Sequence, residues 1–204
     1  IKEALGDDGG EWNVPYPFIV DAVFQKYGIK NANGRVYPEG VLKKQVELYQ
    51  QKINEHRAIG ECNHPSESVI DLGRVSHNII ELHWEGHTLV GKMELNVSMG
   101  FVKHGICSTL GDTVANLLMN GYKIGVSSRG IGSVEQRLGQ TIVGDDYELI
   151  CWDVVSDPST PNAWIGNSEE LQQYVEDTEK HGDTINEVST TEDKIDKIRN
   201  ILRN

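Results

Sequence analysis

Cysteine and long apolar runs are both scarce in this sequence. Its 204 residues include three cysteines, Cys62, Cys107 and Cys151. An odd and widely spaced set does not make the disulfide framework of a small secreted domain, and it fits a reducing, cytosolic environment. The apolar runs are too short to span a bilayer and no signal peptide is visible, so we expect no membrane partner.

Positive charge is also in short supply. The chain has 19 Lys and Arg residues against 31 Asp and Glu residues, which gives a formal net charge of -12 at pH 7. An acidic surface repels nucleic-acid phosphates, so we expect no nucleic-acid partner. The same charge favours solubility and says little about the fold.

The residues that are present suit a folded body between two polar ends. Hydrophobic residues make up 38% of the chain, and its 21 glycines fall between short apolar runs, a pattern typical of strands joined by turns. Residues 1–16 are rich in Gly and Asp and predict a flexible N-terminal arm. Residues 17–165 form the predicted folded domain, and residues 166–204 predict an acidic, flexible tail with a short terminal helix.

Hydrophobic periodicity places helices and strands within the folded part. A helix is predicted to begin near Pro38, because apolar residues then recur at helical spacing and proline suits the first helical turn. A second helix is predicted over residues 108–120, and a β-hairpin around Glu85 and Gly86. Further strands are predicted over residues 17–25, 123–126 and 147–155.

Three polar clusters interrupt this pattern. His64 precedes a proline, which restricts its backbone to extended geometry, but a lone histidine is usually a surface or hydrogen-bonded core residue. Ser127 and Ser128 lie among glycines at the end of an apolar strand, where a sharp turn alone would also explain the pattern. Asp153 lies among apolar residues, so it either faces solvent or needs a partner such as histidine.

Together the clusters offer a Ser, a His and an Asp on separate elements, which is the set that acyl transfer needs. A serine hydroxyl becomes an effective nucleophile when a base takes its proton, and imidazole can do so near neutral pH. A carboxylate fixes the imidazole tautomer and stabilises the imidazolium. Chain order cannot establish the set, because such triads occur in several orders.

These clusters also carry a family resemblance. Four segments contribute to it in matching order: Asn33 to Pro38, Gly-Glu-Cys-Asn-His-Pro at 60–65, Gly-Val-Ser-Ser-Arg-Gly-Ile-Gly-Ser at 125–133, and Asp153 through Pro158 to Trp164. In these segments the sequence resembles the prohead core proteases of T-even-like tailed phages. The resemblance covers roughly residues 17–165, which is nearly the whole predicted domain.

The resemblance implies an α+β fold, mainly an antiparallel β-barrel with surrounding helices, similar to the herpesvirus assemblin proteases. It implies a serine endopeptidase that cleaves phage scaffold, core and major capsid proteins during prohead maturation. Its place would be inside the assembling prohead in the host cytoplasm. No cofactor is expected, and assembly into a homo-oligomer is compatible with the sequence.

Motif matching also implies roles for individual residues. His64 would be the general base, Ser127 the nucleophile, and Asp153 the group that orients His64. Arg129 and Gly130 would line the oxyanion hole, through the main chain or a held water. Ser128 is the rival nucleophile, and Ser127 is preferred because it directly follows the Gly-Val pair of the family pattern.

The family is expected to cut after Glu, in a motif of Ile or Leu, any residue, Glu and then a small residue. The chain opens with Ile-Lys-Glu-Ala, so Glu3 and Ala4 are a candidate self-cleavage site. A pocket for glutamate needs a fixed positive charge, because an unpaired buried carboxylate is costly. Arg35 is the candidate because it lies in one of the family-like segments.

Two other interpretations stay open at this point. In a metal hydrolase, Cys62 and His64 could combine with His77, His83 or His87, but their spacings fit no compact zinc pattern and no metal is expected. The other interpretation is an inactive capsid assembly or scaffold protein that keeps the assemblin fold, since a fold alone does not give activity.

Overall fold

Strands make up most of the folded part of this protein. The computed structural model describes Trp12, residues 14–137 and residues 139–166. A short 3-10 turn, Leu72–Arg74, precedes the fourth strand. In chain order the elements are β1 (Phe18–Lys26), β2 (Arg35–Val36), α1 (Glu39–Asn54), β3 (Ile59–Glu61), β4 (Val75–Glu85), β5 (Thr88–Leu95), α2 (Met99–His104), α3 (Leu110–Met119), β6 (Gly125–Ile131), β7 (Val134–Arg137), β8 (Gln140–Val143), β9 (Glu148–Val155) and β10 (Ile165–Gly166).

The described strands form three sheets. The largest has the order β10-β1-β5-β4-β3, and every neighbouring pair in it is antiparallel. A second sheet has the order β2-β8-β7, with β2 parallel to β8. The third is the antiparallel pair β6-β9, which is joined to its surroundings by single bridges from Gly125 to Trp164 and from Cys62 to Val154.

The expected antiparallel β-barrel is therefore only partly right. The fold is α+β with mostly strands and few helices, but the ladders of the described residues do not close into a barrel. The reason is that the contacts on either side of the β6-β9 pair are isolated bridges rather than continuous ladders. The likeness to herpesvirus assemblin proteases stays a prediction.

The predicted helices and hairpin are confirmed where the apolar periodicity is strong. The helix α1 begins directly after Pro38 and buries five apolar residues at helical spacing, Val41, Leu42, Val46, Tyr49 and Ile53. The helix α3 begins after Thr109, whose hydroxyl accepts a hydrogen bond from the Asp112 N–H in a capping box. β4 and β5 form the predicted hairpin, and Gly86 in its turn has a φ of 55°.

The hydrophobic core connects the helices to the strand pair that carries two of the clusters. Trp152 of β9 is fully buried, and its ring packs edge-on against Phe24 of β1 and Tyr49 of α1, with ring centroids 5.6 and 4.9 Å apart. Burying aromatic rings of this size contributes several kcal/mol in total. This packing fixes β9 rigidly against the main sheet.

The predicted ends of the chain lie mostly outside the described residues. Of the predicted arm over residues 1–16, Trp12 donates from its indole N–H to the Phe101 carbonyl at 2.6 Å, and Val14 is buried. The predicted tail and its terminal helix fall almost wholly beyond the described part. The division into arm, domain and tail stays a prediction. Among the described helices, none combines the length and apolarity needed to cross a membrane.

Candidate active site

The antiparallel pair β6-β9 is the platform of the candidate site. Ser127 of β6 lies directly opposite Asp153 of β9. Side chains at opposed positions of an antiparallel pair point to the same face, with Cβ atoms about 4.5–5.5 Å apart. The expectation that the strand ends at Val126 is wrong, since β6 continues through both serines to Ile131.

Two backbone features bring His64 to this platform. Gly60 in β3 lies so close to β9 that a Cβ atom would collide with the Trp152 carbonyl oxygen and the His77 ring, so only glycine fits there. Asn63 then adopts a left-handed φ of 68°, and its N–H donates to the Val154 carbonyl at 2.8 Å. This turn places the next residue, His64, over Asp153.

His64 and Asp153 are in direct contact. His64 Nδ1 lies 2.9 Å from Asp153 Oδ2, with the carboxylate fully buried and the imidazole 41% exposed. Burial alone would raise the pKa of Asp153, but hydrogen bonds from His64, the Glu61 N–H and Cys151 and the charge of Arg129 hold it below its ordinary value. An ionised carboxylate only accepts hydrogen bonds, so Nδ1 of His64 carries the proton. Nε2 of His64 then has a free lone pair.

A second buried carboxylate lies beside this pair. The guanidinium of Arg129, only 5% exposed, donates from Nη2 to Glu61 at 2.8 Å and to Asp153 Oδ1 at 3.2 Å, and its Nε lies 3.0 Å from Asp153 Oδ2. Burial alone would lower the pKa of Arg129, but the hydrogen bond to Glu61, the contact with Cys151 and the charge of Asp153 together raise it. The side chain of Arg129 is thus committed to carboxylates, which leaves its main chain for the expected oxyanion role.

Gly130 has a steric reason to be glycine. A Cβ atom there would collide with the Tyr147 ring and hydroxyl and with the Glu148 carbonyl oxygen. The β6-β9 register shifts between Arg129 and Gly130, which leaves Ile150 as an extra residue in β9. Such a bulge sharpens the local twist of a strand pair and re-aims the residues next to it.

A cleft of about 670 Å³ opens beside these residues. Among the residues that line it are Arg35 of β2, together with His64, Ser128 and Gly130. Ser127 does not border this cleft and is 8% exposed. No hydrogen bond joins His64 to either serine among the residues that the structure describes.

The sequence-predicted site residues fall into three groups. His64, Asp153 and Arg129 form one connected cluster, with Ser127 opposite Asp153 in the strand register. Arg35 and Gly130 line the same cleft as His64. The candidate cleavage residues Glu3 and Ala4 lie outside the described residues.

Sequence reasoning assigned no role to two residues of this site. Glu61 is fully buried beside Arg129, and Tyr147 lines the cleft against Gly130. Glu61 directly follows Ala58, Ile59 and Gly60, and a glutamate next to such a short apolar segment needs a partner when it is buried, which is a signal for Glu61. Nothing comparable in the sequence indicates Tyr147.

The histidines considered as metal ligands have other partners. His77 is fully buried between the Ser76 hydroxyl and the Trp152 carbonyl oxygen, and burial lowers its pKa to about 4. His83 lies within 3.4 Å of the Glu81 carboxylate on an exposed surface. Over the described part of the chain, no group of three or more His, Cys, Asp or Glu side chains is arranged to hold a metal ion.

Comparisons with known proteins agree with one another. The family described as prohead core protein serine protease matches residues 2–174. A prohead core protein protease of Enterobacteria phage T4 is 28% identical over 179 residues, which is 86% of this chain and 81% of the phage protein. The solved structure of the bacteriophage T4 capsid assembly protease, gp21, is similar with a TM-score of 0.61 and 27% identity, over 69% of this chain and 82% of that one.

Proposed function

The chain belongs to the prohead core protein serine protease family, and on this premise we propose that His64, Ser127 and Asp153 are its catalytic triad. The observation that carries the proposal is the contact of 2.9 Å between His64 Nδ1 and the buried Asp153 carboxylate, with Ser127 opposite Asp153 in the strand register. A buried carboxylate that fixes one imidazole tautomer is the arrangement that activates a serine.

The chemistry follows from the protonation states of these groups. With the Nδ1 proton held by Asp153, His64 Nε2 takes the proton of Ser127 Oγ as the oxygen attacks the peptide carbonyl. The imidazolium that forms is stabilised by the Asp153 charge and then gives its proton to the leaving amine. Water repeats the sequence on the acyl-enzyme, with His64 again acting as the base.

The strand register supports Ser127 over Ser128 as the nucleophile. Ser127 shares a face with Asp153, whereas Ser128 lies opposite Trp152, whose ring is in the core. Ser128, however, borders the cleft with His64, which keeps it as the rival. The exposed main chain at Gly130 and the neighbouring Arg129 N–H are the proposed donors to the oxyanion.

We propose that the enzyme cleaves scaffold, core and capsid proteins after Glu, inside the assembling prohead in the host cytoplasm. Arg35 supports the preference for glutamate. It lines the cleft with His64, and its side chain makes no hydrogen bond or ion pair with the residues that the structure describes. The other arginine of the cleft, Arg129, is occupied by Glu61 and Asp153.

The function is tested with a peptide that contains Ile-x-Glu-Ala and a matched peptide with Gln in place of Glu. We expect mass spectrometry to show cleavage after Glu, and about 10–100-fold slower cleavage after Gln, because a neutral amide cannot accept the charge-assisted hydrogen bonds that a carboxylate accepts from a guanidinium. Equal rates on both peptides would contradict the proposed specificity. No cleavage of either peptide by the folded chain would favour a non-enzymatic assembly protein of the same fold.

Self-cleavage between Glu3 and Ala4 is a further part of the proposal. Its support is the Ile-Lys-Glu-Ala sequence at positions 1–4, which has the same pattern as the test peptide. The intact mass of the incubated protein reports it directly. An active enzyme that keeps this bond whole over many peptide turnovers would exclude it.

Replacing Arg35 by alanine tests the proposed pocket for glutamate. We expect the variant to lose about 10–100-fold in kcat/KM on the Glu peptide and little on the Gln peptide, since only the former places a charge beside Arg35. Arg137→Ala is the matched control, because Arg137 is exposed and paired with Glu135. A variant that keeps the full Glu-over-Gln preference would show that another residue binds the glutamate.

A further inference from the structure

Glu61 is a buried carboxylate that the proposed chemistry does not use. It ends β3, shortly before His64 in the chain, and it has no exposed surface. An ionised carboxylate in such a place is costly unless cations and N–H groups surround it. The partners of Glu61 therefore indicate its role.

The hydrogen bonds of Glu61 connect it either to the candidate active site or to the segment that carries His64. Its Oε1 accepts from Arg129 Nη2 and from the Asp71 N–H, both at 2.8 Å, and its Oε2 accepts from Arg74 Nε at 3.1 Å. Its own N–H donates to Asp153 Oδ1 at 3.1 Å. The main chain of Glu61 thus contacts Asp153, and its side chain contacts Arg129, the counter-ion of Asp153.

The two arginines bound by Glu61 also hold the chain on both sides of His64. Arg74 Nη2 donates to the Cys62 carbonyl at 3.1 Å, and Arg129 Nη1 donates to the Glu67 carbonyl at 2.8 Å. Glu61 is the carboxylate that these two guanidinium groups share. The segment between these two carbonyls is the one that places His64 over Asp153.

Charge gives Glu61 a second effect on His64. Arg129 alone beside Asp153 would offset the negative charge that stabilises the imidazolium of His64. Glu61 returns the buried set of Glu61, Arg129 and Asp153 to a net charge of about -1, counting each group in its ionised form. Arg74 adds less, because its side chain is 40% exposed and water screens it.

We propose that Glu61 is a positioning residue for the catalytic base: it neutralises Arg129 so that Asp153 keeps its charge for His64, and it anchors the segment that carries His64. The proposal rests on the proposed role of His64 as the base. Glu61 itself has no contact with the substrate cleft.

The groups that face His64 from the packed elements are few. Asp153 contacts it from β9, with Arg129 of β6 and Glu61 of β3 behind that carboxylate. Arg35 and Tyr147 line the same cleft as His64. We therefore assign the expected change in the pKa of His64 to Glu61, Arg129 and Asp153. The exposed Glu67, on the same segment as His64, provides the control.

The test is an NMR titration of the His64 imidazole in the full chain carrying Ser127→Ala, with the signal assigned by its loss in His64→Gln. In Glu61→Gln we expect the His64 pKa to fall by about 0.5–1 units, because Arg129 is then uncompensated. Glu67→Gln is the matched control, since Glu67 is exposed on the same segment, and we expect a change below about 0.2 units. An unchanged His64 pKa in folded Glu61→Gln would overturn the proposal.

Activity gives the second measurement. In the chain with Ser127 intact, Glu61→Gln should move the acid limb of kcat/KM to lower pH by the same amount and lower kcat about tenfold. A role confined to structure would lower kcat and the melting temperature and leave the acid limb in place. Because the titration needs no turnover, it decides on Glu61 even if the chain fails to cleave the peptide.

If Glu61→Gln does not fold because Arg129 has lost one of its carboxylate partners, a second pair of variants, in both of which Arg129 is replaced, tests the proposal. Arg129→Gln should raise the His64 pKa, because it removes the cation beside Asp153. The double variant Glu61→Gln with Arg129→Gln should then titrate at a lower pH than Arg129→Gln alone. Equal pKa values in these two variants would overturn the proposal.

Discussion

Replacing Ser127 by alanine should reduce kcat/KM on the Ile-x-Glu-Ala peptide by at least about 10⁴-fold, the largest effect expected for a single atom in this protein. In the proposed mechanism the Ser127 hydroxyl oxygen forms the acyl-enzyme, so its removal would leave only binding and oxyanion stabilisation. Stability should change little, because Ser127 Oγ makes no hydrogen bond among the described residues. The measurement is a steady-state assay by mass spectrometry, with a melting curve of the same sample.

Ser128→Ala is the matched control for this experiment. Ser128 lies on the opposite face of β6 and near the Tyr147 hydroxyl, so its loss should change kcat/KM by less than about tenfold. The reverse result, with activity lost in Ser128→Ala and kept in Ser127→Ala, would assign the nucleophile to the serine that borders the cleft. Loss in both variants with unchanged melting temperatures would show that the two hydroxyls act together.

Local patterning predicted the elements whose side chains repeat with a clear period. The helix α1 and the β4-β5 hairpin follow from apolar spacing and from the glycine in the turn. β6 was predicted too short because its serines and glycines have the composition of a turn. Pairing with β9 overrides that local preference, and the hydrogen bonds of the ladder carry the strand through Ser127 and Ser128.

Short elements were not predicted, for a related reason. The helix α2 has six residues and β3 has three, too few to show a period. α2 exists because Ser98 caps its first turn by accepting from the Phe101 N–H, and because Gly105 ends it in a left-handed conformation. Its fully buried Phe101 then joins the core.

The site could be predicted from chemistry in part. The need of Asp153 for a partner correctly indicated a histidine, although the two residues are 89 positions apart. The destination of the Arg129 side chain was not predictable, because its partner Glu61 lies 68 positions away and only the folded β3 brings it near. The family resemblance assigns Arg129 to the oxyanion hole through its main chain or a held water and leaves its side chain without a role, whereas packing directs its guanidinium to two carboxylates inside the protein.

The Asp153→Asn variant should lower kcat about 10⁴-fold while leaving KM nearly unchanged. Asparagine has the shape of aspartate, but its amide can donate to His64 Nδ1 and so favours the tautomer with the proton on Nε2. That tautomer has no lone pair directed at the nucleophile, and a neutral amide does not stabilise the imidazolium. The ionised state of Asp153 is secure at neutral pH in the native chain, since its pKa lies below the ordinary value.

Stability must be measured beside activity in this variant, because Asp153 also pairs with Arg129 at 3.0 Å. Glu61 still accepts from Arg129 in Asp153→Asn, so the variant should fold, with a loss of up to several kcal/mol in the free energy of unfolding. Asp157→Asn is the control, since Asp157 is exposed on the segment that follows β9. A folded Asp153→Asn variant with kcat within tenfold of the native value would show that another group orients His64, whereas a variant with wild-type KM and very slow turnover would assign that role to Asp153.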